Sequence, residues 1–160
     1  MPLILPQEFM MIKENTLYMV VPCYNEEAVL HETANRLKEK YASLIERGMI
    51  SPDSRVVFVN DGSKDKTWDI IKELHEGNPQ LFSGIDLARN SGHQNAVLAG
   101  LMTVKSLCSM AITMDADLQD DINAIDAMVE KFHEGNHVVY GVRSARDTDT
   151  FFKKFTAEGF

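Results

Sequence analysis

Two aspartates follow a short apolar segment at a spacing suited to binding a metal or ligand. The segment is 111–114, and Asp115 and Asp117 come directly after it. In extended backbone, residues two apart point to the same side, so both carboxylates could face the same metal ion or ligand. Carboxylates this close repel each other unless a cation lies between them, and such a pair suits Mg²⁺ or Mn²⁺ better than zinc. We therefore predict that Asp115 and Asp117 bind a divalent metal or a ligand.

The two acids that follow this pair have a simpler interpretation. Asp120 and Asp121 come just before a segment with apolar residues at helical spacing, namely Ile122, Ile125, Val129 and Phe132. Aspartate is among the residues preferred at the N-cap of a helix. We predict that Asp120 or Asp121 caps this helix.

Strands alternating with helices must position the acidic pair. Apolar and β-branched runs predict strands at 17–21, 55–60, 81–87, 109–114 and 137–142, with helical periodicity between them. Strands joined by helices of ten or more residues form βαβ units with right-handed crossovers. The sequence therefore predicts one α/β unit with a mostly parallel central sheet.

Caps and apolar stripes set the expected starts and buried faces of the helices. Asn25 is expected to cap the first helix and Ser63 the second. The residues expected to face the core are Leu30, Ala34, Leu37, Tyr41 and Leu44 in the first helix, Trp68, Ile71 and Leu74 in the second, and Val97, Leu98, Leu101 and Met102 in the third.

Polar clusters follow three of the predicted strands, at 22–26, 60–63 and 115–119. The carboxyl ends of parallel strands lie along one edge of the sheet, so these clusters should converge. There, Tyr24 could stack on a base and Asp61 could accept an N–H from it. A metal helped by Arg89, Arg143 and Arg146 could hold a diphosphate. A nucleoside-diphosphate donor fits this set.

Composition narrows the class of protein. The chain has 160 residues, about one domain, and its 44% hydrophobic content can form a core. A net charge of −8 argues against nucleic acid as a partner. Cys23 and Cys108 are expected to be buried thiols of a reducing compartment.

The sequence shows no apolar run that approaches the roughly 20 residues of a membrane span. A short cationic aromatic helix at 151–155 could lie on a membrane surface or dock on the domain.

Several other site types are not supported by the sequence. It contains neither GxGxxG after the first strand nor GxxxxGK[ST], and the histidines have no paired spacing that would indicate zinc. His93 is expected to be a cap or a polar surface residue rather than a catalytic base. Two alternatives stay open: a phosphohydrolase that uses Asp115 and Asp117, and a non-enzymatic metal-dependent nucleotide-binding module.

Four sequence blocks carry a family resemblance. The blocks are VVPCYNEE at 20–27, VNDGS at 59–63, DLARNSGHQ at 86–94 and MDADLQD at 114–120. Taken in order, they resemble the signatures of the family 2 inverting glycosyltransferases with the GT-A fold, a Rossmann-like three-layer sandwich. MDADLQD and the segment from 140 onwards most resemble the enzymes that load a sugar onto a polyprenyl phosphate.

The resemblance implies a role for each matching residue. It implies nucleotide binding by Pro22, Tyr24, Glu26, Asp61 and Asp115, and metal binding by Asp115, Asp117 and Gln119. Asp115 and Asp117 are then the residues at the reaction centre, with Mg²⁺ or Mn²⁺ as cofactor. Arg143 and Arg146 lie where these enzymes are expected to hold phosphate. One departure is Asp121-Ile122, where many relatives carry prolines, which affects only the following turn.

The implied partners are a UDP-glucose or GDP-mannose type donor and a polyprenyl phosphate acceptor. An acceptor that forms polysaccharide, or a protein or small molecule, is the alternative within the family. Members of the family have longer catalytic domains, so residues 1–160 are expected to be the N-terminal, donor-binding part. The full protein is expected at the cytoplasmic face of a membrane, with oligomers possible. The piece itself is expected to be soluble and to transfer sugar poorly or not at all.

Overall fold

A computed structural model of the protein describes residues 14–141, which form alternating strands and helices. In chain order these are β1 (Leu17–Cys23), α1 (Leu30–Glu46), β2 (Arg55–Asn60), α2 (Thr67–Gly77), β3 (Phe82–Asp86), α3 (His93–Val104), β4 (Met110–Thr113) and α4 (Ala124–His133). None of the helices in this part of the chain is both long and apolar enough to cross a bilayer.

The four strands of the described residues form one parallel sheet in the order β3-β2-β1-β4. Val20, at the centre of the sheet, pairs with Val57 of β2 on one side and Thr113 of β4 on the other. The predicted α/β fold with a mostly parallel sheet is therefore confirmed. Because the strands are parallel, β1, β2 and β4 deliver their following loops to the same edge.

The fifth predicted strand, at 137–142, is wrong over the part that the structure describes. Residues 137–141 have no strand conformation, and the side chains of Val138 and Tyr140 are 68% and 83% exposed. A short apolar run forms a strand only where a neighbouring strand can complete its hydrogen bonds. None of the four described strands pairs with residues 137–141.

The two faces of the sheet are covered by different helices, which gives three layers. Alternate β1 residues Leu17, Met19 and Val21 belong to a large core with the buried residues of α1, α2 and α4. Val20 belongs instead to a smaller core with Ala96 and Val104 of α3. All five residues predicted for the buried face of α1 are buried. Cys23 and Cys108 are buried free thiols.

The predicted buried face of α3 is partly wrong. Leu98 and Met102 are more than half exposed, whereas the buried residues of this helix are Ala96, Gly100 and Val104. A Cβ atom on Gly100 would overlap the side chain of Val20, so the helix backbone lies almost on the sheet. Small residues permit this close approach, whereas Leu98 and Met102 lie on the exposed side of the helix.

The predicted caps are also corrected. Helix α1 begins at Leu30 and α2 at Thr67, so Asn25 and Ser63 lie too early to cap them. The N-cap of α4 is Asn123 and makes no side-chain cap hydrogen bond. Asp121 does support the turn before α4, because its Oδ1 accepts a hydrogen bond from the Asn123 N–H at 2.9 Å.

Candidate functional site

The loops after β1, β2 and β4 meet the start of α3 around one open cavity of about 250 Å³. The predicted site residues that line it are Pro22, Tyr24, Glu26, Asp61, Asp115 and Asp117, joined by Cys23, Asn90, Gly92, His93, Ala96 and Ala116. Gln119 lines a neighbouring cavity of about 350 Å³ beside Asp115 and Arg36. Arg143 and Arg146 lie outside the described residues. The strand-end clusters therefore converge, as the sequence predicted.

Asn25 and Ser63 tie the β1–α1 loop to the β2–α2 loop. The Ser63 hydroxyl accepts a hydrogen bond from the Asn25 N–H at 3.0 Å, and Asn25 Oδ1 accepts one from the Lys64 N–H at 2.8 Å. Asn25 has a φ of 57°, a left-handed conformation that asparagine tolerates better than most residues. These two residues therefore position loops rather than begin helices.

Thr67 and Asp65 form a second tie between the same loops. The buried Thr67 hydroxyl accepts from the Glu26 N–H at 2.8 Å and donates to Asp65 Oδ1 at 2.6 Å. Asp65 Oδ2 also accepts from the Glu27 N–H at 3.1 Å. Partial burial opposes ionisation, but the hydrogen bonds from Thr67 and Glu27 leave the pKa of Asp65 below its ordinary value. The backbone that presents Tyr24 and Glu26 to the cavity is thus fixed by several hydrogen bonds.

Asp61 fixes the third wall of the cavity. Its Oδ1 accepts from the Ser91 N–H at 2.6 Å and its Oδ2 from the Gly92 N–H at 3.0 Å, just before α3 begins. The side chain of Asp61 is buried, and the neighbouring Gly62 has a φ of 64°. A Cβ atom on Gly62 would overlap the backbone of Asn90, so these loops cross in close contact. Each Asp61 oxygen retains a lone pair for a further donor.

The acidic pair follows the end of β4 with both carboxylates exposed. Asp115 and Asp117 are exposed on either side of the buried Ala116. Asp117 Oδ1 accepts a hydrogen bond from the Gln119 N–H at 3.0 Å, and Leu118 between them has a φ of 61°. This tight turn carries Gln119 away from the cavity that holds the two acids.

His93 contributes more to the site than its sequence context indicated. It is the first residue of α3 and is exposed, yet its Nε2 lies 3.7 Å from Asp115 Oδ1. His93 was given only a capping or surface role because a lone histidine has no spacing signal. Its position beside the acidic pair depends on how α3 packs against β1, which a single sequence does not reveal.

The cavity concentrates negative charge. Burial, with additional repulsion from Asp117, Asp65 and Asp115, raises the pKa of Glu26 above its ordinary value. Burial also raises the pKa of the Cys23 thiol, so this cysteine is an apolar part of the wall and not a nucleophile. Clustered carboxylates of this kind favour a cation.

The described residues do not supply a complete metal cage. Within 14–141, no group of three or more His, Cys, Asp or Glu side chains is arranged to hold a metal ion. Asp115 and Asp117 remain the pair of oxygen donors that the structure presents together at the cavity. A cation held there would need further ligands from water or from a bound molecule.

The parallel sheet with helices on both faces has the GT-A fold, which its similarity to solved structures supports. Two solved structures of S. aureus TarS 1-349 are similar: one in complex with UDP has a TM-score of 0.52 and matches 74% of this chain and 33% of that one. The other has a TM-score of 0.55 and matches 86% and 40%. Both are 21% identical in sequence, a likeness that concerns the fold.

Sequence comparison identifies the family. The family profile described as Glycosyl transferase family 2 matches residues 18–158, and the chain belongs to this family. The uncharacterized glycosyltransferase YkoT of Bacillus subtilis is 51% identical over 144 residues, which are 90% of this chain and 42% of that protein. The prophage bactoprenol glucosyl transferase homolog of Escherichia coli is 36% identical over 89% of this chain and 44% of that protein. The chain thus spans less than half the length of these relatives.

Proposed function

We propose that this chain forms the donor-binding part of an enzyme that transfers a hexose, with inversion, from a nucleoside-diphosphate sugar to a polyprenyl phosphate. The observation that carries the proposal is the convergence of Tyr24, Glu26, Asp61, Asp115 and Asp117 around one cavity. The similarity to bactoprenol glucosyl transferases supports a lipid acceptor. A UDP-glucose or GDP-mannose type donor is consistent with this set.

The nucleoside would lie between the loops after β1 and β2. Tyr24 is 42% exposed at the cavity, so its ring is accessible for stacking on a base. Asp61 could accept an N–H from the base through the lone pairs that Ser91 and Gly92 leave free. Pro22 and Glu26 complete this side of the cavity.

The residues present fit Mg²⁺ or Mn²⁺ shared with the donor's phosphates. Asp115 and Asp117 supply the carboxylates, and Gln119 follows in the next turn. Magnesium is commonly bound by one or two carboxylates plus substrate phosphates, which agrees with the absence, within residues 14–141, of three acids arranged to hold a metal. When bound, the ion would neutralise charge on the departing diphosphate.

The acceptor chemistry needs little from this part of the chain. A phosphate oxygen of the acceptor would attack the anomeric carbon from the face opposite the diphosphate, forming a new C–O bond as the bond to the diphosphate breaks. A phosphomonoester has a second pKa of roughly 6, so it is mostly ionised at neutral pH and needs no strong general base. Arg143 and Arg146 are proposed to hold this phosphate, with the acceptor presented at the cytoplasmic face of a membrane.

A transfer assay tests this proposal. The protein is incubated with labelled UDP-glucose or GDP-mannose, Mn²⁺ and detergent-solubilised polyprenyl phosphate, with polyprenol as the matched acceptor that lacks the phosphate. We expect label to enter the lipid fraction only with the phosphorylated lipid, and residues 1–160 alone to transfer it poorly or not at all. Transfer to polyprenol or to soluble hydroxyl acceptors instead would favour the polysaccharide-forming or small-molecule alternative. Nucleotide binding without any transfer by the full-length protein would favour a binding module.

A further inference from the structure

We infer that Thr33, a buried residue of α1, is a positioning residue for the acidic pair, an inference that rests on the proposed function. Its Oγ1 donates a hydrogen bond to the carbonyl oxygen of Ala116 at 2.7 Å, across 83 positions of sequence. Thr33 has no exposed surface. A distance of 2.7 Å is typical of a well-formed O–H···O bond.

A hydrogen bond to the Ala116 carbonyl can fix the positions of both Asp115 and Asp117, because Ala116 lies between them. Its side chain is buried while Asp115 and Asp117 on either side are exposed, so the Ala116 peptide is the inner anchor of the segment. The ladder between β1 and β4 ends nearby, where the Met114 N–H donates to the Val20 carbonyl at 3.2 Å. The Thr33 hydroxyl therefore holds the chain just past the end of the sheet.

The other end of this connection reaches the nucleotide side of the cavity. The carbonyl of Glu26 accepts hydrogen bonds from the N–H groups of Val29 and Leu30, which fixes the start of α1 to the β1–α1 loop. Thr33 lies one turn further along α1, so this helix links Glu26 to the acidic pair. Loss of the Thr33 hydroxyl would release the Ala116 carbonyl and let the spacing between Glu26 and the two aspartates vary.

A purely local role is the simpler interpretation. A threonine in a helix often bonds to the carbonyl four residues earlier, as Thr103 does to Ala99 at 2.8 Å. Thr33 also lies 3.1 Å from the Val29 carbonyl, but its shorter bond goes to Ala116. A single hydroxyl proton favours the closer acceptor, so Thr103 provides a matched control.

The test measures UDP and GDP binding by titration calorimetry in Mn²⁺ and in EDTA for Thr33→Val, Thr33→Ala, Thr33→Ser and Thr103→Val. Thr33→Ala adds no bulk, so it keeps the test valid if Thr33→Val does not fold. We expect Thr33→Val and Thr33→Ala to weaken binding in Mn²⁺ about tenfold while changing binding in EDTA less than about twofold. Thr33→Ser, which keeps the hydroxyl, and Thr103→Val should match the wild type in both buffers.

Amide hydrogen exchange of the free protein gives a second readout that needs no ligand. Exchange at Asp117, Leu118 and Gln119 should be faster in Thr33→Val and Thr33→Ala than in Thr33→Ser. The inference would be overturned if Thr33→Val and Thr33→Ala exchanged these amides no faster than Thr33→Ser, or bound nucleotide in Mn²⁺ as tightly as the wild type. It would also be overturned if they lost as much affinity in EDTA as in Mn²⁺, or if Thr33→Ser bound as weakly as they do. A wild type that binds neither nucleotide, with exchange still accelerated in the variants, would instead contradict the proposed function alone.

Discussion

His93 and Asp115 face each other at the cavity, with Nε2 and Oδ1 separated by 3.7 Å. His93 begins α3 and Asp115 follows β4, so the contact joins a helix that covers the sheet to the end of one of its strands. His93 also lines the cavity that Glu26, Asp61, Asp115 and Asp117 line. A protonated His93 would partly offset the negative charge of Asp115 at this edge.

The acidic pair gives the first prediction. Asp117→Ala should abolish Mn²⁺-dependent binding of UDP or GDP and leave the melting temperature nearly unchanged, because the side chain is exposed. Asp117→Asn is the matched control for the turn, since its amide oxygen can still accept the Gln119 N–H while the charge is lost. Both variants should fail in calorimetry with Mn²⁺. Binding by Asp117→Asn equal to that of the wild type would remove the charge of Asp117 from the metal site.

The two hydrogen bonds to Asp61 give a prediction for stability. In Asp61→Asn the amide NH₂ must face one of the N–H donors of Ser91 or Gly92, so one of these two hydrogen bonds is lost. We expect a loss of about 1–3 kcal/mol in the free energy of unfolding, measured by urea denaturation. Asp69→Asn, at an exposed position in α2, should change it by less than about 0.5 kcal/mol. Equal effects of the two substitutions would show that Asp61 does not fix the start of α3.

The crossing of the loops at Gly62 gives a third prediction, for which Gly48 is a matched control. Both glycines have positive φ, 64° and 68°, but only at Gly62 would a Cβ atom meet other backbone. Gly48→Ala should cost about 1–2 kcal/mol of unfolding free energy for the left-handed conformation. Gly62→Ala should cost about 1–3 kcal/mol more, because the loop at Asn90 must move. Similar urea midpoints for the two variants would contradict the close crossing.

The raised pKa of Glu26 predicts a pH-dependent effect on stability. A carboxyl whose pKa is higher in the folded state holds its proton more tightly there, so stability falls as the pH rises from the unfolded pKa through the folded one. Glu26→Gln should therefore melt at a higher temperature than the wild type at pH 7. The difference should close below about pH 4, where Glu26 is neutral in both states.

The control for that comparison is Glu39→Gln, an exposed position on α1. It should not reproduce the pH-dependent gain in melting temperature. If Glu26→Gln and the wild type melt together at both pH values, the carboxylates do not repel Glu26 as the geometry indicates. A stabilising substitution is expected at a residue that we propose to bind the donor, because binding sites often hold like charges close together.

Sequence patterns predicted the layers of the fold and the edge that carries the site. The continuous β-branched run of β2 and the helical stripe of α1 are strong periodic signals, and both elements formed as expected. Hydrophobicity alone did not predict which face of α3 is buried, because the close contact of Gly100 with Val20 determines it. Packing between distant segments has no local signature.

The site shows the same limit. Asp115 and Asp117 were recognisable because they follow an apolar strand, and the structure brings them to the same cavity as Glu26 and Asp61. The contributions of Thr67, which holds Glu26, and of His93 were not recognised. Each depends on a partner at least 20 positions away, so nothing in the neighbouring residues marks it.

The most direct measurement for the account is calorimetric titration of residues 1–160 with UDP and with GDP, each in Mn²⁺ and in EDTA. The account predicts saturable binding of at least one nucleotide at a single site, with an affinity that falls at least tenfold, or about 1.4 kcal/mol, when EDTA removes the metal. Neither nucleotide binding in Mn²⁺, or binding with the same affinity in EDTA, would contradict a metal-bridged sugar-nucleotide site at Asp115 and Asp117.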